Sequence, residues 1–381
     1  MIPLSVPNLS GNEARYLAEC IATTFVSTVG PFVERLEKMV AEAAGAQQAV
    51  ATSAGTTGLH VALHAVGVRP GDLVCLPSYT FIASANAISH CGATPWLFDI
   101  APESWTLDPR QLDQKLDGET RIQDGRLIHK ASGRPVSAIM PVHTLGLPAD
   151  MDAIVLTAKR FGLPVVADGA AALGSAYKGQ PTGKMGADLA VVSFNGNKTV
   201  TSGGGGAVAG DDPALMGLVR HLVSTARTGD DYTHDRIGFN YRMTNIEAAV
   251  GCAQMERLGE FVQAKRRIRM AYDAALSHVP GVGLFPEPAW ATSACWFSGV
   301  TLAPPAPTPE QVRRLLRDAG IEARPFWKPM HLQEPYKNAP RAETPVADGI
   351  WRRVLTLPCS THLTSADQER VIEVLIEALG G

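Results

Sequence analysis

The chain is short of several things. It has no apolar run near the ~18 residues needed to cross a bilayer, and no CxxC pair among its six cysteines, Cys20, Cys75, Cys91, Cys252, Cys295 and Cys359. A membrane-spanning helix and a zinc-ribbon or dithiol motif are excluded on those grounds. The scattered cysteines read as reduced, mostly buried thiols of a cytoplasmic protein. The opening MIPLSVPNLSGNEARYL lacks a basic stretch followed by an apolar one, so no secretory signal is expected. Excess charge is scarce too. The 34 Lys and Arg against 37 Asp and Glu leave −3, which argues against a nucleic-acid or anionic-membrane surface. What is present is a 45% hydrophobic chain of 381 residues, long enough for about two to three domains with a large core.

Residues 31–45 have helical periodicity and stop at a glycine. QAVATSAGTTGLHVALHAVGV then reads as a short apolar strand, a small-residue turn and a helix. DLVCLPSYTFIASANAISHCGATPWLFDI repeats that grammar and adds a strand. SAIMPVHTLG and LPVVADGA bracket a helix over 149–162, and ADLAVVSF and GGAVAG are two more buried strands. The alternation predicts an α/β fold with a mainly parallel sheet covered on both faces. Residues 120–136 carry Asp-Gly and Ser-Gly turns and read as an inserted hairpin. After Tyr241 the pattern becomes one long helix, broken near Gly259, leading into a mixed β/α region. We therefore expect a large domain over 1–250 and a smaller C-terminal α/β domain over 251–381. Lys265, Arg266, Arg267 and Arg269 on that helix read as a solvated face.

Three segments carry chemistry. Asp168 ends the apolar run LPVVAD, and the C-terminal end of a buried parallel strand is where open α/β sheets bind ligands. Taken alone it reads as a helix N-cap. Lys198, in SFNGNKTVTSGGGGAV, follows a buried strand and an Asn-Gly turn, five residues after Ser193. Desolvated there, its amine becomes a Schiff-base nucleophile, although a lone loop lysine is usually just a surface charge. SAGTTGLH places Gly55, Thr56 and Thr57 at a strand-to-helix turn, where free backbone N–H groups and hydroxyls suit an anion or an ordinary cap. A phosphate cradle, a carboxylate and a Schiff-base lysine are together what pyridoxal 5′-phosphate requires, the carboxylate keeping the pyridine nitrogen protonated. Phe81 is the candidate aromatic for the ring face, and equally a core residue of its helix.

The segments STVGPFVERLE, SAGTTGLHVAL, PSYTFIASANAI, VVADGAAALGSAYKG, VVSFNGNKTVTSGGGGAV, GFNYRMTNIEAAVG and RPFWKPMHLQ, in this order, resemble the DegT/StrS group of sugar-nucleotide aminotransferases across nearly the whole chain. The resemblance implies a fold-type I pyridoxal phosphate-dependent transferase. Lys198 becomes the Schiff-base lysine, Asp168 the partner of the pyridine nitrogen and Phe81 the stacking aromatic. Gly55, Thr56, Thr57 and Ser193 would bind the phosphate. An asparagine of a neighbouring subunit completes that site in the family, which implies a homodimer. Asn240 is the candidate, with Arg242 as the alternative. Trp327, Lys328 and His331 are candidates for the sugar-nucleotide cleft, or else residues of a turn-rich loop.

One position departs from the pattern. The family places Gln, Glu or His three residues after the aspartate, against the ring hydroxyl, whereas this chain has Ala171, which cannot make that hydrogen bond. SFNGNK, the WKPMH stretch and the inserted hairpin are most similar to the LegC-like branch. That likeness implies transfer of an amino group from glutamate to a UDP-linked 4-keto-6-deoxy-N-acetylhexosamine. Amination of a 3-keto sugar or a cyclitol, and a non-catalytic cofactor-binding regulator, are the alternatives.

Overall fold

Apolar strands of three to five residues assemble into one sheet in the computed structural model, which describes residues 1–380. Gln48–Thr52 pairs antiparallel with Gly206–Gly210, which pairs antiparallel with Leu189–Ser193. Leu189–Ser193 runs parallel to Val166–Asp168. Parallel bridges from Ile139 to Val165 and from Val142 to Asp168 join this half to Val136–Ile139, Leu73–Pro77 and Thr94–Phe98, themselves parallel. The sheet is thus mainly parallel, as the alternation predicts, with Gly206–Gly210 as the strand that reverses.

Both faces are covered because side chains alternate along a strand. Val50, Val191 and Val208 pack with Leu59 and Met216 on one face. Ala49, Ala51, Val192 and Ala207 pack with Leu36, Val40 and Ala248 on the other. Helix Pro31–Ala44 starts on proline, whose fixed φ suits the first turn. It stops at Gly45, whose φ of 68° is costly for residues with a Cβ. Thr120–Gln123 and Arg126–His129 form the expected hairpin, and Asp124 and Gly125 at its tip both have positive φ, as a tight two-residue turn requires.

The long helical pattern is two helices, Asn245–Met255 and Leu258–Leu276. The break falls at Glu256–Arg257, close to Gly259 as expected, although Gly259 itself lies inside the second helix. Glu256 is gripped there by Tyr16, Asn12 and Arg35, so tertiary contacts override the glycine's weak propensity. Behind this break an antiparallel sheet runs in the order Val282–Leu284, Ser298–Leu302, Val354–Leu357, Arg324–Pro325. Its core also takes in Ile2 and Leu4 from the start of the chain.

The basic cluster is not a solvated face. Lys265 is buried and donates to the carbonyl of Trp296 at 3.0 Å. Arg266 donates to the carbonyls of Ser293 and Gly174, and Arg269 pairs with Asp273 and reaches the carbonyl of Phe285. Only Arg267 of the four is exposed. These side chains satisfy carbonyls of packed loops, a role that helical periodicity does not reveal. All six cysteines are buried and free. Among the described residues no helix is long and apolar enough to cross a membrane.

Candidate active site

Neighbouring strands end at one edge of the sheet and leave a cavity of about 480 Å³ there. Asp168 and Ser193 are the last residues of their strands, and Gly55 opens the helix Gly55–Ala65. These three line the cavity with Thr56, Phe81 and Lys198. Residues spread over more than 140 positions of sequence are thus gathered at one crevice, as parallel sheets do at their carboxyl edge.

Asp168 is buried. Its Oδ2 accepts from the Ser84 hydroxyl at 2.7 Å and its Oδ1 from the Ala170 N–H at 3.0 Å. Burial raises its pKa, while those donors and the charge of Lys198 oppose the rise. Two donors leave lone pairs free on the carboxylate, so it can still accept a proton-bearing nitrogen from the cavity. Ser84 was not singled out from the sequence.

The Lys198 backbone N–H closes a turn onto the Asn195 carbonyl, which aims the side chain inward. The amine lies 3.5 Å from the centre of the Trp296 ring, and the Trp296 indole N–H donates to the Asn197 carbonyl at 2.7 Å, locking that ring in place. Part of the Lys198 surface faces the cavity, yet the surrounding protein desolvates the amine. Its pKa falls from 10.5 to about 7, with Asp168 pulling in the opposite direction. An amine unprotonated near neutrality is a competent nucleophile. The rate at which the cofactor-free chain captures pyridoxal phosphate should therefore climb about tenfold between pH 6 and 8 and then level. An ordinary lysine would keep gaining up to pH 10. Stopped-flow absorbance across that range checks it, and a rate still climbing steeply above pH 9 contradicts the depressed pKa.

Gly55 and Gly206 permit the close approach on the other flank. A Cβ on Gly55 would lie 2.9 Å from the Cβ of Ser193, and one on Gly206 would lie 2.7 Å from the Gly55 nitrogen. The helix start therefore sits directly against Ser193, and its first N–H groups join the serine hydroxyl at a spot suited to an anion. Thr56 lines the cavity but Thr57 does not. The Thr57 hydroxyl donates to the Ala54 carbonyl at 2.8 Å and receives the Ala54 N–H at 3.0 Å, which makes it a helix cap. Asn240 is exposed, Arg242 is half-buried, and both lie outside this chain's own cavity.

An aromatic wall closes the cavity. Phe81 is 54% exposed at its mouth, with its ring centre 6.3 Å from that of Trp327. Trp296, Phe297 and Phe326 complete the wall. Phe326 lies beside Trp327 in the RPFWKPMHLQ stretch expected at the sugar cleft, whereas Trp296 and Phe297 were not legible, because their segment lies about a hundred positions from Lys198 and bears no chemical pattern. Two candidates for the sugar cleft need correction. Lys328 is exposed and off the cavity lining. His331 is buried, with Nδ1 held by Ser78 at 2.6 Å and Nε2 by Asp348 at 2.8 Å, so both ring nitrogens are already used in fixing this loop. Of the three, only Trp327 reaches the cavity.

The DegT/DnrJ/EryC1/StrS aminotransferase family matches residues 7–376. The chain belongs to that family. It is a pyridoxal phosphate-dependent sugar aminotransferase, and relatives align with it almost end to end. GDP-perosamine synthase of Caulobacter vibrioides is 38% identical over 99% of this chain and 98% of its own. GDP-perosamine synthase of Escherichia coli O157:H7 is 36% identical over 98% of this chain and 96% of its own. The solved aminotransferase TlmJ from Streptoalloteichus hindustanus superposes with a TM-score of 0.89 at 30% identity, covering 100% of this chain and 99% of that one.

The residues of this aminotransferase fit the cofactor. A desolvated amine, a buried carboxylate with free lone pairs and a glycine-lined helix start share one cavity with a flat aromatic at its mouth. That donor set answers an aldehyde, a pyridinium nitrogen, a phosphate and a ring face respectively.

Proposed function

We propose that this aminotransferase moves an amino group from glutamate to C4 of a GDP-linked 4-keto-6-deoxyhexose, giving a 4-amino sugar nucleotide. The observation that carries the substrate is the alignment with two GDP-perosamine synthases over nearly the whole chain. The motif likeness to UDP-sugar enzymes carries less weight, because SFNGNK surrounds Lys198 and senses the cofactor. Of the WKPMH stretch, only Trp327 faces the cavity. Alignment over the full length, by contrast, includes every residue that meets the sugar and the nucleotide.

In this reading Lys198, Asp168, Ser193, Gly55, Thr56 and Phe81 hold pyridoxal phosphate. The cofactor supplies an aldehyde to carry the amino group and a ring to spread negative charge. Asp168 holds the proton on the ring nitrogen, which keeps that ring electron-poor. Lys198 Nζ, with a pKa near neutrality, would take the proton from the α-carbon of the donor and deliver it to the carbon that was the cofactor's aldehyde carbon, so that the nitrogen stays with the cofactor and the donor leaves as its keto acid. Trp296 shields that amine from water and fixes its position. Trp327 offers a flat apolar wall to the sugar nucleotide. The working unit is a homodimer in which Asn240, exposed on its own chain, reaches the phosphate of its neighbour. Exposed Phe25, Val26 and Val29 supply apolar surface for such an interface.

The test is a substrate panel. With glutamate as donor, GDP-4-keto-6-deoxymannose should exceed UDP-4-keto-6-deoxy-N-acetylglucosamine in kcat/KM by at least about 100-fold, since unpaired polar groups penalise the wrong base. Mass and NMR should place the new amine at C4. Preference for the UDP sugar, or an amine at C3, would overturn this assignment and leave the aminotransferase chemistry standing.

A further inference from the structure

Several buried polar side-chain atoms among the described residues lack a hydrogen-bond partner, and His143 Nε2 is the one whose residue lines the active-site cavity. His143 is 1% exposed and follows the strand Val136–Ile139. Its backbone N–H donates to the Asp168 carbonyl at 2.9 Å, tying it to the strand that carries the carboxylate. Its Nδ1 accepts the Ala149 N–H at 3.2 Å. A ring nitrogen that accepts carries no proton, so in the neutral ring the proton sits on Nε2. Burial keeps the ring neutral, with its pKa lowered to about 4. The result is a fixed N–H donor, on a residue of the cavity lining, with no partner in the protein, a state that calls for a water, an ion or a ligand to answer it.

The sheet order says which part of the cofactor this donor meets. Ser193 and the Gly55 helix start lie on one side of Asp168, and His143 lies on the other, just after Val142, whose parallel bridge to Asp168 continues the next strand. In pyridoxal phosphate the phosphate arm and the 3-hydroxyl flank the aldehyde carbon on opposite sides. A ring with its nitrogen on Asp168 and its phosphate toward Ser193 therefore turns its hydroxyl toward His143 and Ala171. Ala171 lines that stretch of wall and has no polar side chain.

We propose that His143 Nε2–H donates to the 3-hydroxyl oxygen of the bound cofactor, supplying the hydrogen bond that Ala171 cannot. The inference rests on the cofactor placement of the preceding section. Asp168, Lys198 and Arg324 are the other titratable side chains lining this cavity, and none is altered in the test.

The experiment titrates the yellow holoenzyme by visible absorbance. When the cofactor-bound nitrogen is protonated, its own N–H already serves the ring oxygen. When that proton leaves, the oxygen's charge depends on the protein donor. His143→Phe should therefore raise the pH midpoint of the yellow band by about one pH unit. His143→Phe with Ala171→Gln, which places an amide donor at the vacant position, should bring it back. A midpoint unmoved by His143→Phe, or a shift that Ala171→Gln fails to reverse, overturns the proposal. The wild-type protein gives a second measurement that tolerates no folding defect. With ¹⁵N-labelled histidine, the His143 Nε2–H resonance should move downfield when pyridoxal phosphate binds, and an unmoved resonance also overturns it. A wild-type protein that stays colourless with added cofactor brings down the cofactor placement and this inference together. A yellow protein trapped at Lys198 with an unmoved resonance brings down this inference alone.

Discussion

Lys198→Ala should abolish borohydride trapping of pyridoxal phosphate on the chain and lower amino transfer by at least about a thousandfold. Among the described residues no other lysine lines the cavity to take its place. Lys328 is exposed and away from it. The fold should survive the change. The nearest recorded partner of the amine is the Trp296 ring, so truncation strands no buried hydrogen-bond donor or acceptor. Lys198→Arg sharpens the point, since a guanidinium fills the space but stays protonated and cannot attack an aldehyde. Peptide mass after borohydride treatment reads the result, with melting temperature as the control for folding. Comparable label on the alanine variant would remove Lys198 from the reaction.

How much of this site was legible in the sequence depends on where the partners lie along the chain. Lys198 and Asp168 each sit in a short segment that carries its own signal: an apolar run, then a glycine-rich turn or a small-residue stretch. The cradle at Gly55 and Thr56 is legible for the same reason. Thr57 is adjacent in sequence, but its hydroxyl turns back to Ala54, a choice of rotamer that residue type does not encode. Ser84, Trp296 and His143 were invisible because their contacts join segments 84, 98 and 25 positions from their partners at Asp168, Lys198 and Asp168. The basic cluster failed in the opposite sense. Charge on a helix predicts exposure, and it was the carbonyls of packed loops that buried Lys265 and Arg269. His331 looked like chemistry and is a strut between Ser78 and Asp348.

Asp168→Asn separates holding the cofactor from activating it. The amide has nearly the carboxylate's shape, and its oxygen can accept from Ser84 or Ala170 as before. Its NH₂ then meets the ring nitrogen as a donor, so that nitrogen loses the acceptor that kept it protonated. Turnover should fall roughly 10²–10³-fold, the usual consequence of losing one preorganised charge in a dry site, while borohydride still traps cofactor on Lys198. A second effect follows from the same carboxylate. In the cofactor-free chain Asp168 opposes the desolvation that lowers Lys198, so its removal should push the lysine further below about 7. Capture of pyridoxal phosphate by the variant should then level off at a lower pH than in the wild type, even as catalysis collapses. That opposition of sign, faster capture at acid pH with slower turnover, is something a merely misfolded variant would not produce. Equal turnover at saturating glutamate would mean that the carboxylate does not touch the ring nitrogen, and the arrangement of cofactor, phosphate and hydroxyl argued from it would have to be redrawn.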